Sequence, residues 1–271
     1  MKKRIGIIGC GNMGEAILAR SLKRKAYKFI IFDKDKLKQA FACRIYGVKK
    51  ANGITELLSN SDVIIIAVKP QDIDLVLREI SENNKKLNNK NILFISIAAG
   101  VRTNYIENKL SNKARVIRVM PNLPVTIGKG VSVLCKGRFA RREDLKLAND
   151  IFSNLGKTIN MAKEELIDVV TALSGSGPAY IFFIINAMLV AAKGLGLDRK
   201  TANQLIYHMV LGSMELHKEK GFDAERLISQ VTSRGGTTEA ALKVFRDKKI
   251  GAIIMNAILA AHRRAKELCR R

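Results

Sequence analysis

Cysteine is scarce in this 271-residue chain, and its four copies, Cys10, Cys43, Cys135 and Cys269, stand far apart. They form no Cys-x-x-Cys pair and have no histidine at ligand spacing, which argues against a disulfide framework and a zinc site and points to a reducing, cytoplasmic compartment. Histidine is scarcer still. His208 and His217 fall on helical stretches, and neither they nor His262 are grouped with a nucleophile, so neither a histidine general acid nor a metal centre is expected. Aromatic residues make up only 6%. Without an aromatic RNP-like strand or a zinc-finger spacing, specific nucleic-acid recognition is not expected. Long hydrophobic runs are also missing. The longest uncharged stretch, Val169 to Ala192, is interrupted by Ser174-Gly175-Ser176-Gly177-Pro178, and only about 13 mostly apolar residues follow the proline. A membrane span needs roughly 20, so this stretch reads as a buried helix or as one half of a subunit interface. The charged opening Met1 to Gly6 leads into an apolar run that stops at the glycines after Ile8 with no cleavage pattern, so no export signal is expected.

Acidic residues are half as numerous as basic ones, 24 against 48, for a formal net charge of +24. Such a field favours phosphate-rich partners. The cations, however, are spread in twos and threes (Lys23-Arg24-Lys25, Lys85-Lys86, Arg141-Arg142, Lys248-Lys249, Arg270-Arg271), each beside an apolar periodic segment, as on solvated faces.

What is present is an ordinary globular composition, 47% apolar and 27% charged, in a chain long enough for two modest domains. Up to about residue 160, short apolar runs at Arg4–Ile8, Lys28–Phe32, Val63–Val68, Ile92–Ile97 and Arg115–Met120 alternate with helical patterns near Met13–Lys25, Lys34–Tyr46, Gln71–Asn83 and Thr103–Leu110. Late strands are expected at Val131–Cys135 and Lys157–Asn160, around a helix at Arg141–Phe152. This alternation predicts βαβ units, and strands that are apolar throughout predict a parallel sheet covered on both faces. From Glu164 the periodicity is helical, near Glu164–Leu173, Ala179–Lys193, Asp198–Lys218, Asp223–Gln230, Thr237–Phe245 and Gly251–Cys269. The chain therefore divides into an α/β domain at 1–160 and an all-α domain at 161–271.

Gly9-Cys10-Gly11-Asn12-Met13-Gly14 directly follows the first strand and opens a helix, and Asp33 ends the second strand 19 residues after Gly14. That is the dinucleotide fingerprint in its structural context, and it makes the first domain a Rossmann-type, doubly wound sheet. Its glycines allow a tight turn and let backbone N–H groups approach a pyrophosphate at a helix N-terminus. Gly9, Gly11, Asn12, Met13, Gly14 and Asp33 are thus candidate cofactor ligands. Ala67, Val68, Lys69 and Pro70 end another strand at the same edge, with Lys69 aimed at a phosphate or ribose or else simply solvated. Ser96 to Gly100, with Ala98 at its centre, and Met120 to Pro124 also end strands and would line the nicotinamide side. In the helical half, Leu173 to Tyr180 and Thr232 to Thr238 each lead into a helix. Each is a potential anion site or merely a cap.

Taken together, these segments resemble the pyrroline-5-carboxylate reductase family over nearly the whole chain. The resemblance implies a dinucleotide domain, a helical dimerisation domain, a homodimer or a larger assembly built on dimers, and NAD(P)H-dependent reduction of pyrroline-5-carboxylate to L-proline. It also implies roles: the amides of Gly235, Gly236 and Thr237 for the substrate carboxylate, the Thr238 hydroxyl for the ring nitrogen, and Ser176 with Ser233 in the surrounding polar shell. Arg234 departs from the family pattern, which has proline there, so the loop loses a conformational restraint and gains a cation. NADPH and NADH are both admissible, with a lean to NADH because Asp33 can accept from the ribose hydroxyls and would repel a 2′-phosphate; Lys34 and Lys36 would offset this if they turned towards the ribose. Two rivals are set against this reading. A β-hydroxyacid dehydrogenase would carry a catalytic lysine where Ile181 stands. A non-catalytic cofactor-binding regulator would use the +24 charge on nucleic acid, but would have no use for the Thr238 loop.

Overall fold

The computed structural model describes residues 2–87, 91–110 and 113–269; the basic pair Arg270-Arg271 lies outside them. Packing divides the chain into two units, Met1–Pro178 with Ala261–Arg271, and Ala179–Ala260. In the first unit the chain runs β1 (Lys3–Ile8), α1 (Asn12–Leu22), β2 (Tyr27–Phe32), α2 (Lys36–Tyr46), β3 (Lys49–Lys50), α3 (Ile54–Ser59), β4 (Val63–Ile66), α4 (Ile73–Lys86), β5 (Leu93–Ser96), α5 (Thr103–Leu110), β6 (Arg115–Pro121), β7 (Gly130–Lys136), α6 (Arg142–Phe152), β8 (Gly156–Asn160) and α7 (Leu166–Val170).

These strands form one sheet in the order β3-β2-β1-β4-β5-β6-β7-β8. β1 to β6 are parallel, β7 is antiparallel to β6, and β8 is parallel to β7. Every residue of β4 and β5 is buried, because helices cover both faces. Alternate side chains divide between two cores. Ile5, Ile7, Ile31, Val63 and Ile65 pack with Ile17 of α1 and Ile151 and Phe152 of α6. Ile8, Ile30, Ile64 and Ile66 pack with Leu57 and Leu58 of α3, Leu77 and Ile80 of α4 and Ile106 of α5. Strand order reverses between β1 and β4, which leaves a crevice at their carboxyl ends, the position where doubly wound sheets bind ligands.

All seven expected strands form. The structure adds β3 and α3, which sequence pattern does not reveal: two exposed lysines carry no hydrophobic signal, and six helical residues are too few to show a period. Strands cease at Asn160, near the expected boundary, but packing changes partner later. α7, the turn after it and the chain from Ala261 belong to the unit of the sheet.

The second unit is helical, containing most of α8 (Gly177–Gly194), then α9 (Arg199–Glu219), α10 (Ala224–Val231), α11 (Thr237–Asp247) and the first part of α12 (Ile250–Leu268). Asp198 caps α9 by accepting from the N–H groups of Lys200 and Thr201, and Asp223 caps α10 by accepting from Arg226. Among its described residues only Ala202 and Ile206 are buried hydrophobics, while Phe182, Phe183, Val190, Met214, Ile253 and Met255 are exposed. Of the two expectations for the segment after Pro178, a buried helix or one half of a subunit interface, burial within its own chain does not hold: α8 has no buried residue, because so few helices enclose too little interior. Its expected shortness is corrected too. A π-helical turn, Thr171–Gly175, joins α7 to α8, and Pro178 falls in the first turn of α8, where its missing N–H is tolerated. The resulting run, Leu166–Gly194, spans 29 residues and is long and apolar enough, by length and composition, to cross a membrane.

Candidate active site

At the carboxyl end of β1 the chain turns sharply into α1. Gly9 has φ +100, and a Cβ there would lie 2.6 Å from the Ala67 carbonyl oxygen. A Cβ on Gly14 would lie 2.0 Å from the Gly9 carbonyl oxygen. Both positions therefore require glycine, and in return the loop lies flat against the end of β4. No side chain caps α1 at Gly11, which leaves the first-turn amides and the positive end of the helix for an anion. The loop geometry thus fits the pyrophosphate of a dinucleotide.

Asp33, 9% exposed, holds this loop to the end of β2. Its carboxylate accepts from the Cys10 N–H at 2.5 Å and from the Asp35 N–H at 2.8 Å, and the Gly9 N–H donates to the Phe32 carbonyl. Lys34 and Lys36 are engaged elsewhere: Lys34 pairs with Asp72 at 2.7 Å, and Lys36 lies over the Phe32 ring. A cavity of about 620 Å3 flanks the loop, lined by Cys10, Gly11 and Asn12 and by Leu37, Lys38, Phe41 and Arg44 of α2. Burial, with Asp33 second, pushes the Cys10 thiol up to about 12, so it is protonated at neutral pH.

Ala67, Val68, Lys69 and Pro70 leave β4 beside this turn, with the Ala67 N–H donating to the Ile8 carbonyl at 2.8 Å. Lys69 is exposed and Pro70 begins a short 3-10 turn. Ala98, buried, follows β5 with its N–H facing the Ser96 hydroxyl. The sheet therefore gathers every sequence-predicted cofactor residue at the ends of β1, β2, β4 and β5.

Ser176 closes the π-helical turn, its N–H donating to the Thr171 carbonyl at 2.9 Å. This turn is seated on the end of β6, where Asn122 Nδ2 meets Ser174 Oγ at 3.4 Å and Met120 occupies the space a side chain at Gly175 would need. Below it lies a cluster of buried charge, Arg118 with Glu164 and Asp168, whose role sequence reading missed. The available signal was an arginine inside an otherwise apolar strand, a residue type that is rarely buried without a partner.

In the helical unit, the Ser233–Thr238 loop opens α11. Gly235 takes a left-handed φ of +72, and Gly236 is the N-cap, with no side-chain cap. The Gly235 N–H donates to Glu239 Oε2 at 2.7 Å and the Gly236 N–H to the Ser233 carbonyl at 3.0 Å. Thr237 and Thr238 occupy the first turn of the helix.

Residues 4–100 match the family described as NADP oxidoreductase, coenzyme F420-dependent, and residues 164–268 match pyrroline-5-carboxylate reductase dimerisation. The pyrroline-5-carboxylate reductase of Methanosarcina acetivorans is 37% identical over 98% of this chain and 98% of its own. That of Arabidopsis thaliana is 35% identical over 98% and 95%. Among solved structures, the pyrroline-5-carboxylate reductase of Coxiella burnetii superposes with a TM-score of 0.88 at 35% identity, covering 100% of both chains. The Plasmodium falciparum enzyme, solved with NADP bound, does so with a TM-score of 0.88 at 27% identity, covering 98% of each. Identity at this level along the full length, reaching through both the sheet and the helices, means that the chain belongs to the pyrroline-5-carboxylate reductase family of oxidoreductases.

Proposed function

We propose that this chain carries out the family reaction, reduction of pyrroline-5-carboxylate to L-proline, by direct hydride transfer to the imine carbon. The observation that carries this reading is the full-length relationship to pyrroline-5-carboxylate reductases in a chain that keeps both the uncapped glycine turn at the sheet's switch point and the Ser233–Thr238 loop. A reduced nicotinamide, when bound, supplies the hydride. The protein's task is then to orient the substrate, because an imine nitrogen near neutral pH can take its proton from solvent and needs no strong protein acid. Gly9, Gly11, Asn12, Met13 and Gly14 would hold the pyrophosphate by backbone amides, and Asp33 would face the adenosine ribose. Ala67, Val68, Lys69, Pro70 and Ala98 would line the remaining length of the cofactor.

For the substrate, the amides of Gly235, Gly236 and Thr237 would bind the carboxylate, which takes over the first donor from Glu239. The Thr238 hydroxyl would hydrogen-bond the ring nitrogen, with Ser176 and Ser233 in the polar shell. Both nicotinamide forms would serve, with NADH favoured: the Asp33 carboxylate opposes a 2′-phosphate, and Lys34 and Lys36 are committed to Asp72 and Phe32. Lys38 and Arg44, which line the adjoining cavity, are the cations through which NADPH would be accepted. The match to the dimerisation family supports a homo-oligomer, and we propose a dimer in which α8 of one copy is covered by another.

Cofactor deuterated at the transferring carbon tests the mechanism. Mass spectrometry should find one deuterium in the L-proline formed, on the ring carbon beside the nitrogen that does not carry the carboxylate; proline without deuterium would contradict direct transfer.

A further inference from the structure

Arg118 stands in the middle of β6 and is 2% exposed. Its guanidinium donates to Glu164 Oε1 at 3.2 Å and to Asp168 Oδ1 at 3.2 Å. Asp168 Oδ1 also accepts the Cys269 thiol at 2.9 Å, and its other oxygen lies 3.9 Å from Arg102. Glu164 in turn accepts from the N–H and hydroxyl of Thr103. Two guanidiniums and two carboxylates thus form a neutral cluster around Asp168, itself 1% exposed. Buried charges are tolerated only when paired in good geometry, so this cluster has little freedom to rearrange.

Its location is informative. Asp168 lies in α7, three residues before the π-helical turn Thr171–Gly175 that Ser176 follows. Arg118 lies four residues before Asn122 on β6 and its exit. Asn122 Oδ1 accepts from the Val131 N–H at 2.8 Å, which orients the amide and turns Nδ2 towards Ser174. The chain is therefore held to β6 and its exit at two points, by Arg118–Asp168 just before the turn and by Asn122–Ser174 within it, and a side chain at Gly175 would meet Met120. π-Helical turns are rare and concentrate at functional sites, and this one has an attachment on either side of its start.

We propose that Asp168 and Asn122 are positioning residues that set the placement of Ser176 during the reaction. The proposal rests on the reading that Ser176 belongs to the polar shell of the substrate. Neither residue acts on the substrate itself.

Kinetics of Asp168→Asn, Asn122→Ala and Ser176→Ala, alone and combined in the full-length enzyme, test this. Each positioning variant should lower kcat on the order of 10-fold while leaving cofactor KM unchanged. In a Ser176→Ala background either substitution should cost less than about 2-fold more, because the residue through which it acts is already gone. If Asp168→Asn does not fold, the Asn122→Ala cycle decides. A lowered melting temperature with wild-type kcat, or losses that multiply independently of Ser176, would overturn the proposal and leave the site standing. A Ser176→Ala enzyme at wild-type rate would remove Ser176 from the site and take the proposal with it.

Discussion

Thr238 lies in the first turn of α11, at the loop proposed for the substrate, and its hydroxyl is the group proposed for the ring nitrogen. Thr238→Val removes that hydroxyl at nearly constant volume. Loss of one well-placed polar contact to a reacting centre costs about 2.7–4 kcal/mol, so kcat/KM for pyrroline-5-carboxylate should fall on the order of 10²-fold while cofactor affinity holds. A near-normal kcat/KM in a variant that merely melts earlier would reduce Thr238 to a helix-start residue. Cys10 makes a different prediction. Its thiol is pushed from an ordinary 9.0 up to about 12, and Cys135 up to about 11, chiefly by burial. A folded thiol that keeps its proton above the unfolded value means that the unfolded chain binds fewer protons between those values. Its stabilising effect is complete below about pH 9 and is lost as pH rises towards 12. Melting temperature should therefore fall on the alkaline side, and fall less in Cys10→Ala; equal falls would contradict the burial argument. At this scale the fingerprint glycines and Asp33 were legible because their spacing is local. The buried pairing of Arg118 with Asp168 was not, since its partners come from distant parts of the chain and no periodicity links them.

Among the elements, the strands were legible because continuous β-branched runs such as Val63–Ile66 have few alternatives once both faces are covered. Thr103–Leu110 formed with the expected limits. The π-helical turn was not legible: Ser174 to Pro178 reads as a break, whereas tertiary seating on Met120 and Asn122 carries the helix through it. The consequence is the long apolar run whose side chains at Ile181, Phe182, Phe183 and Ile184 are exposed in the single chain. Covering such a face releases roughly 25 cal/mol per Å2 of apolar area, which favours a second copy on α8. Light scattering should give a dimer or larger species for the wild type and a shift towards monomer for Ile184→Lys. A folded wild-type monomer in dilute solution would refute the assembly.

For the whole molecule, the division of labour follows from composition as much as from fold. The sheet packs on two full cores, while the helical unit has two buried hydrophobic residues among those described, which favours covering its apolar faces by assembly. That contrast was partly legible, since the mostly apolar stretch after Pro178 was visible in sequence, but burial within one chain and burial between two look alike until the fold is known. The proposed chemistry asks this molecule chiefly for orientation of substrate and cofactor. The most direct test is to supply the purified, folded protein with pyrroline-5-carboxylate and NADH or NADPH and follow cofactor oxidation together with proline formation. The account predicts turnover with both cofactors and a higher kcat/KM for NADH; a large NADPH advantage would shift the adenosine contact from Asp33 to Lys38 and Arg44. Failure to turn over with either cofactor would contradict the assigned function.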